Sequence, residues 1–395
     1  MPISETYNLD VMELNKMYCE KNLETMSRMA DNSVDSIVTD PPYGLKFMGK
    51  KWDYDVPPVE VWVECLRVLK PGGYLLAFAG TRTQHRMAVR IEDAGFEIRD
   101  MIAWIYGSGF PKSHDISKAI DKKLGMSEER VITHYNKQGK KSIFDGGKER
   151  PASLPASLPA SLWDGWGTAL KPALEPITVA RKPIEGTVAE NVLKYSTGGI
   201  NIDGCRVGES GARNNGSTPD ADGHSSNEIF GKYKATEKVD YGKGRFPANI
   251  IHDGSDEVLA IFPETSSGKM NENHKRSTDG SPNGIYGKFD AEHPLSETFG
   301  DSGSAARFFY TAKASQSERG KGNDHPTVKP LAVMRYLCRL VTPPKGIIYD
   351  PYAGSGTTII AGIEEGFSAF GSDLDAHHCE IFNLRTRHGI QPKMF

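Results

Sequence analysis

Short apolar runs alternate with amphipathic stretches at both ends of the chain, and a long polar middle breaks the alternation. In residues 1–110, Val34–Thr39 (VDSIVT) and Tyr74–Ala79 (YLLAFA) have the length and content of buried strands. Between them Val59, Trp62, Leu66 and Leu69 recur at helical spacing until Lys-Pro-Gly-Gly stops the run. Arg82–Ala94 predicts a second helix, ended by Gly95, and Ile98–Trp104 a further strand. Residues 326–395 repeat the pattern. Helices are predicted over Val328–Leu340, Thr357–Glu365 and Ala376–Arg387, with strands over Ile347–Asp350 and Ser368–Asp373. Strands alternating with helices predict an α/β fold with a mainly parallel sheet.

Residues 111–325 are rich in Gly, Ser, Asn, Asp and Lys, and Pro176–Ala180 is their one clear strand. Pro151–Leu162 repeats PASL three times, which reads as an extended linker because Pro resists both helix and sheet. At roughly 100–200 residues per domain, 395 residues predict two globular units. The formal charge of −3 excludes a globally basic coat for nucleic acid but allows a local basic face. No apolar run reaches the roughly 20 residues of a membrane helix, and the N-terminus shows no export signal. The five cysteines (Cys19, Cys65, Cys205, Cys338 and Cys379) form no CxxC pair, so reduced thiols in a cytoplasmic protein are expected. His224, His252 and His274 show no metal-ligand spacing, and no metal is assigned.

Two motifs carry chemistry. Asp350-Pro-Tyr-Ala-Gly-Ser-Gly-Thr-Thr358 lies between a strand and a helix. Gly354 and Gly356 allow close backbone approach to a ligand, and the helix start offers free N–H groups. Asp373, at the end of the next strand, is spaced to accept hydrogen bonds from ribose hydroxyls. Ile359 stands where a dinucleotide fingerprint wants Gly, which counts against a nicotinamide cofactor. An ordinary strand-to-helix turn would explain the glycines alone. The second motif, Asp40-Pro-Pro-Tyr43-Gly44, follows VDSIVT. Its prolines hold the chain extended. The Asp40 carboxylate and the Pro41 carbonyl can each accept one N–H of an exocyclic amine, which turns the nitrogen lone pair toward an electrophile. Tyr43 can stack on the ring. Read alone, this motif is also compatible with a proline-rich turn capped by Asp.

Together the motifs resemble those of the DNA amino-methyltransferases of the N-4/N-6 type, which use S-adenosylmethionine. The resemblance covers residues 14–110 and 326–388. It includes Asn32–Tyr43, Leu69-Lys-Pro-Gly-Gly73, His325-Pro-Thr-Val-Lys-Pro330 and Asp350–Thr358. The catalytic motif precedes the cofactor motif, the permuted order of the beta class. Ala77–Thr83 and Phe309–Arg319 resemble phage and prophage members.

The resemblance implies a Rossmann-like, doubly wound sheet of seven strands, one antiparallel, with Ile98–Trp104 and Pro176–Lys182 as the hairpin that supplies it. It divides the chain into a catalytic half (1–110), an insertion with the PASL linker (111–170), a returning strand (171–182), a target-recognition region (183–325) and a cofactor-binding half (326–395). It implies Asp40, Pro41, Pro42 and Tyr43 as catalytic residues. Asp350, Gly354, Ser355, Gly356, Thr357, Asp373, Thr327, Lys329 and Glu20 are implied for the cofactor. Lys21 departs from the family, because an acid is usual there and Glu20 would have to substitute.

The implied reaction is direct attack of the adenine N6 amine on the cofactor's methyl group. The base must be flipped out or single-stranded to be reached. Cytosine N4 methylation by the same residues is the alternative, and an inactive DNA-binding relative a third reading. Trp104, Phe110 and Phe47 are candidates for the wall opposite Tyr43. Residues 231–246 carry five Lys/Arg against two acids with interleaved aromatics, which suits a DNA-binding loop or a plain solvated one. Residues 307–345 carry eight Lys/Arg against two acids. DNA is the implied partner. Relatives are often homodimers, and a restriction partner is left open.

Overall fold

A strand buried on both faces must satisfy every polar side chain it carries. The run Val34–Thr39 does so in the computed structural model, which describes residues 12–45, 53–109, 113–125, 158–208, 244–267, 301–312, 328–387 and 389–390. All six residues are buried, and each polar one has a partner or a shielded place. Asp35 takes the Lys70 ammonium at 2.7 Å and the Ile347 N–H at 2.7 Å. Ser36 meets Thr342 at 2.8 Å, and Thr39 donates to Asp350 at 2.6 Å.

The strands in chain order are β1 (Met17–Tyr18), β2 (Val34–Thr39), β3 (Leu69–Phe78), β4 (Glu97–Ile105), β5 (Leu174–Arg181), β6 (Ile250–His252), β7 (Glu264–Ser267), β8 (Asp301–Ser304), β9 (Tyr310–Thr311), β10 (Ile347–Asp350) and β11 (Ser368–Ser372). The helices are α1 (Asn22–Ser27), α2 (Val59–Val68), α3 (Gln84–Asp93), α4 (Ile116–Lys123), α5 (Leu158–Ser161), α6 (Val188–Tyr195), α7 (Asp256–Leu259), α8 (Leu331–Val341), α9 (Thr357–Glu364) and α10 (Ala376–Thr386). Among the described residues the main sheet has nine strands, in the order β1-β11-β10-β2-β3-β5-β4-β6-β9. The first seven of these form a Rossmann-like frame whose one antiparallel strand is β5, paired to both β3 and β4. Two short strands from the polar middle, β6 and β9, extend the sheet in parallel beyond β4. Apolar clusters on the two sides of the sheet include Leu76, Phe78, Leu337 and Ile348 in one, and Ile37, Trp62, Leu75 and Phe370 in the other.

The Lys-Pro-Gly-Gly stop does more than end a helix: β3 begins at Leu69, just before it, and runs through it. Gly72 adopts φ +77°, where a side chain is strained and a Cβ would meet the Asn191 amide. Asn191 is fully buried and clamps this bend, donating to the Pro71 carbonyl at 2.9 Å and to Thr197 O at 2.8 Å.

Two sequence expectations need correction. Cys19, just after β1, and Cys379, in α10, form a disulfide with Cα atoms 6.1 Å apart. They are 360 residues apart in sequence and meet because β1 adds to the sheet beside β11, whose following turn leads into α10. Cys65, Cys205 and Cys338 are free and buried. The PASL repeat reads as extended, but its described end, Leu158–Ser161, is a helical turn. Pro159 falls in the first turn, where a missing N–H forfeits no bond. Residues 151–157 lie outside the described residues.

The chain divides into two compact units, Ser108–Ala173 with α4 and α5, and the remainder, Met1–Gly107 with Leu174–Phe395. Among the described residues, no helix is long and apolar enough to cross a membrane.

Candidate active site

In parallel strands the carboxyl ends share one edge of the sheet, and loops leaving that edge build the site. Asp40-Pro-Pro-Tyr43 leaves β2 there. Its path is fixed by Asp53, a carboxylate 2% exposed. Asp53 Oδ1 accepts the N–H of Tyr43 and of Gly44, both at 2.8 Å, and Oδ2 accepts that of Leu45 at 3.1 Å. Gly44 sits at φ +68°, with Asp55 and Val56 backbone atoms 3.0 Å from where a Cβ would lie. From α3's side, the Thr83 hydroxyl donates to the Tyr43 carbonyl at 2.6 Å.

The loop delivers Asp40 and Tyr43 into a charged cluster. Tyr43 Oη donates to Asp40 Oδ1 at 2.8 Å and lies 3.1 Å from Glu175 Oε2. Lys329 Nζ is 2.6 Å from Asp40 Oδ2 and 3.2 Å from Glu175 Oε2. Tyr106 Oη reaches Glu175 Oε1 at 3.4 Å. Burial raises the Asp40 pKa and the Glu175 charge raises it further, while Lys329 pulls it down without cancelling the rise. Burial opposes charge on Lys329, but Asp40 and Glu175 outweigh it and its pKa is raised. Tyr43 is pushed well above its ordinary value by burial and then by both carboxylates, so it stays a donor.

The glycine motif, Asp350–Thr358, leaves β10, the neighbour of β2. Asp350 is buried, and its Oδ1 takes Thr39 Oγ1 at 2.6 Å and the Tyr352 N–H at 3.0 Å. Burial lifts its pKa to about 6 against the hydrogen bonds from Thr358, Thr39 and Tyr352. Gly354 and Gly356 adopt φ +52° and +79°, and a Cβ on Gly356 would collide with the Phe382 ring. Gly354 N donates to Asp373 Oδ2 at 2.9 Å. Asp373 Oδ1 takes the Asp375 N–H at 2.9 Å and lies 3.0 Å from His378 Nδ1. Arg385 braces the turn by donating to Ser355 O at 2.8 Å and to Thr357 Oγ1 at 3.0 Å. Burial lowers the Arg385 pKa to about 10.

This donor set suits a ribose-bearing group. An ionised carboxylate offers about four acceptor positions. On Asp373 Oδ2 the Gly354 N–H takes one, which leaves room for a hydroxyl beside the glycine turn.

Thr39 and Asp350 join the two motifs directly, so Asp40, Pro41, Pro42 and Tyr43 stand beside Asp350, Gly354, Ser355, Gly356 and Thr357. Lys329, expected at the cofactor, lies against the Asp40 carboxylate. Glu20 pairs with Arg28 and accepts the Thr25 hydroxyl at 2.8 Å, while Lys21 lies 3.8 Å from Glu24. Trp104 is buried in the core against Tyr106. Thr327, Phe47, Phe110 and residues 209–243 lie outside the described residues. Four cations of the 307–345 segment are engaged internally. Arg307 bonds Ser304 O, Lys329 bonds Asp40, and Arg335 and Arg339 pair with Glu365.

Sequence reasoning missed Asp53 and Glu175. The Asp53 signal was faint: a carboxylate close after a Pro-Pro-Tyr-Gly turn. Glu175 has no local signal, but it stands one residue before the strand expected to run antiparallel, and that direction brings its first residues to the edge where its neighbours end.

A glycine turn on one strand end and a paired-proline loop on the next meet at one edge of a Rossmann-like sheet, the arrangement of a group-transfer fold. A DNA methylase family model (N6/N4 methyltransferases) matches residues 34–384, and the chain belongs to that family. Among curated proteins it is similar to the type II methyltransferase M.HindIII of Haemophilus influenzae, 29% identical over 147 residues. That match takes in 36% of this chain and 38% of the relative. M.HpaI of Haemophilus parainfluenzae is 29% identical over 119 residues, 27% of this chain and 36% of the relative. The chain thus spans well under half the length of these relatives. Of solved structures, PvuII DNA methyltransferase (cytosine-N4-specific) is 12% identical, covering 93% of this chain and 85% of that one at TM-score 0.43. The M1.HpyAVI–SAM complex is 14% identical, covering 94% and 98% at TM-score 0.39.

Proposed function

We propose that this chain is an S-adenosylmethionine-dependent DNA methyltransferase acting on the exocyclic N6 amine of adenine. The observation that carries the reading is the bond from Thr39 to Asp350, which ties the acceptor loop to the glycine turn on adjacent strand ends. Asp373 and the turn at Gly354–Thr357 would hold the cofactor's ribose and carboxylate-bearing part. When bound, the cofactor supplies an electrophilic methyl group on a sulfonium.

The chain's own residues do the positioning. Asp40 and the Pro41 carbonyl accept the two amine hydrogens, so the nitrogen lone pair points out of the base plane. Tyr43 offers a ring face to the base. Burial of the cluster strengthens these bonds, because charge is poorly screened there. Tyr43 and Lys329 donate to Asp40 and oppose the rise that burial and Glu175 give its pKa, and it is the carboxylate placed to take the proton the amine gives up. A duplex base lies out of reach, so it must swing out into this edge. The Asp-led form of the acceptor motif supports adenine over cytosine, whose N4 amine presents the same two hydrogens.

The test is transfer from labelled S-adenosylmethionine to unmethylated bacterial DNA, read by nucleoside mass spectrometry. N6-methyladenine is expected, and its loss in Asp40→Ala with cofactor binding kept. N4-methylcytosine alone would overturn the base assignment. No incorporation into DNA would overturn the function.

A further inference from the structure

We infer that Glu175 is a positioning residue that takes the Tyr43 hydroxyl and shares the Lys329 ammonium when a substrate amine occupies Asp40. The inference rests on the proposed amine chemistry and adds a residue to it.

Both oxygens of Asp40 are engaged, Oδ1 by Tyr43 and Oδ2 by Lys329. An amine entering the site adds a third donor to that carboxylate and competes with the two already there. The phenol carries one proton and faces two acceptors, Asp40 Oδ1 at 2.8 Å and Glu175 Oε2 at 3.1 Å. Rotating the O–H alone transfers that bond to Glu175 with the ring in place. Lys329 already touches both carboxylates, and three N–H donors let it lean to Glu175 without losing Asp40. Glu175 thus leaves two donors satisfied while Asp40 turns to the substrate. Without it, a buried phenol and ammonium would stay on Asp40, since a buried donor with no acceptor is costly.

Glu175 is placed for this by topology. It opposes Trp104 across the β4–β5 pair, at the start of the only antiparallel strand of the frame. Tyr106, just beyond β4, holds its other oxygen at 3.4 Å. Burial and then Glu175 raise the Tyr106 pKa to about 12, which keeps it a donor. The groups that face Asp40 are Tyr43 from its own loop, Lys329 ahead of α8, Glu175 from β5, and Asp350 from β10. Of these, Glu175 and Asp350 bear negative charge and Lys329 positive.

The charge of Glu175 raises the pKa of Asp40, so its removal moves the Asp40 titration to lower pH. The experiment compares the full-length wild type, Glu175→Gln and Glu175→Asp. Carboxyl ¹³C NMR follows Asp40, assigned by loss of its signal in Asp40→Asn. Steady-state transfer follows kcat, KM and the acid limb of kcat. Glu175→Gln is expected to lower kcat by about tenfold to a hundredfold, through misplaced donors, with the KM for cofactor unchanged. Its Asp40 midpoint and the acid limb both move down. Glu175→Asp keeps the charge and recovers part of kcat, and it serves as the test should the Gln variant not fold. A Gln variant with wild-type kcat and an unmoved Asp40 titration overturns the inference alone. A wild type that transfers no methyl group to DNA overturns the proposed function, and the handover with it.

Discussion

Replacing Asp53 by Ala removes one carboxylate and strands three backbone donors. The N–H groups of Tyr43, Gly44 and Leu45 all end on it, at 2.8, 2.8 and 3.1 Å. A hydrogen bond to a charged group contributes roughly 1.5–3 kcal/mol. The three are not independent, and the loop is only half-buried, so opening it to water recovers part of the loss. The net cost expected is about 2–4 kcal/mol, at the large end for one substitution. Asp53→Asn is milder, at about 1–2 kcal/mol. Its remaining oxygen still serves Tyr43 and Gly44, but its amide meets the Leu45 N–H donor to donor. Both variants loosen the segment that aims Asp40 and Tyr43, and a displacement of about 1 Å costs on the order of a hundredfold in rate. Urea unfolding gives the stability change, calorimetry the cofactor affinity, and labelled methyl transfer the rate. The expected pattern is Ala worse than Asn in both stability and kcat, with cofactor affinity retained because the three N–H groups that Asp53 holds all belong to the acceptor loop. An Asp53→Ala protein that unfolds at the wild-type urea concentration and transfers at the wild-type rate would refute the reasoning.

Asp350 carries a raised pKa of about 6 caused first by burial. A raised acid holds its proton more tightly folded than unfolded, so stability falls as pH climbs from about 4 to about 6 and the cost, about 3 kcal/mol, is complete above that. Asp350→Asn keeps an oxygen for Thr39 and Tyr352, so its urea midpoint relative to wild type is expected to be higher at pH 8 than at pH 4; no pH dependence in the difference would refute this. Arg385→Lys replaces the Nη1 that donates to both Ser355 and Thr357 with a shorter-reaching ammonium, and the cofactor dissociation constant by calorimetry is expected to rise about tenfold with the fold intact. Native protein denatured without reductant should show three reactive thiols, and reductant should expose two more from Cys19 and Cys379. Under non-reducing conditions Cys379→Ser should lower stability by about 2–4 kcal/mol in urea unfolding. Five thiols before reduction would show that the bridge does not form.

Local pattern made the frame legible. Ile347–Asp350 is a strand as the sequence predicts, and the boundaries of the neighbouring strands and helices move by a few residues at most, apart from β3. Most of these segments bury at least one face on the sheet, so their apolar period records their place. The same logic hid β6 and β9. They are three and two residues long, and what makes them strands is the free edge of β4 rather than their own composition. Cys19 and Cys379 were unreadable for a related reason, since pairing over 360 residues depends on strand order alone.

The two motifs divide along the same line. Asp40 and Gly356 are visible because each sits in a local context, Pro-Pro or Gly-x-Gly, that restricts the backbone whatever surrounds it. Glu175 and Lys329 act on Asp40 from strands and loops 135 and 289 residues away in sequence, so no local rule joins them. Charge counting is blind to this. Of the cations of 307–345, Lys329, Arg335 and Arg339 are held against Asp40 and Glu365. A buried carboxylate needs a cation, and whether a lysine in the sequence faces DNA or a neighbour's acid is settled by the sheet order that brings the acid to it. The site is therefore half written in its motifs and half in the topology, with the antiparallel turn of β5 deciding that a fifth side chain joins the acceptor cluster.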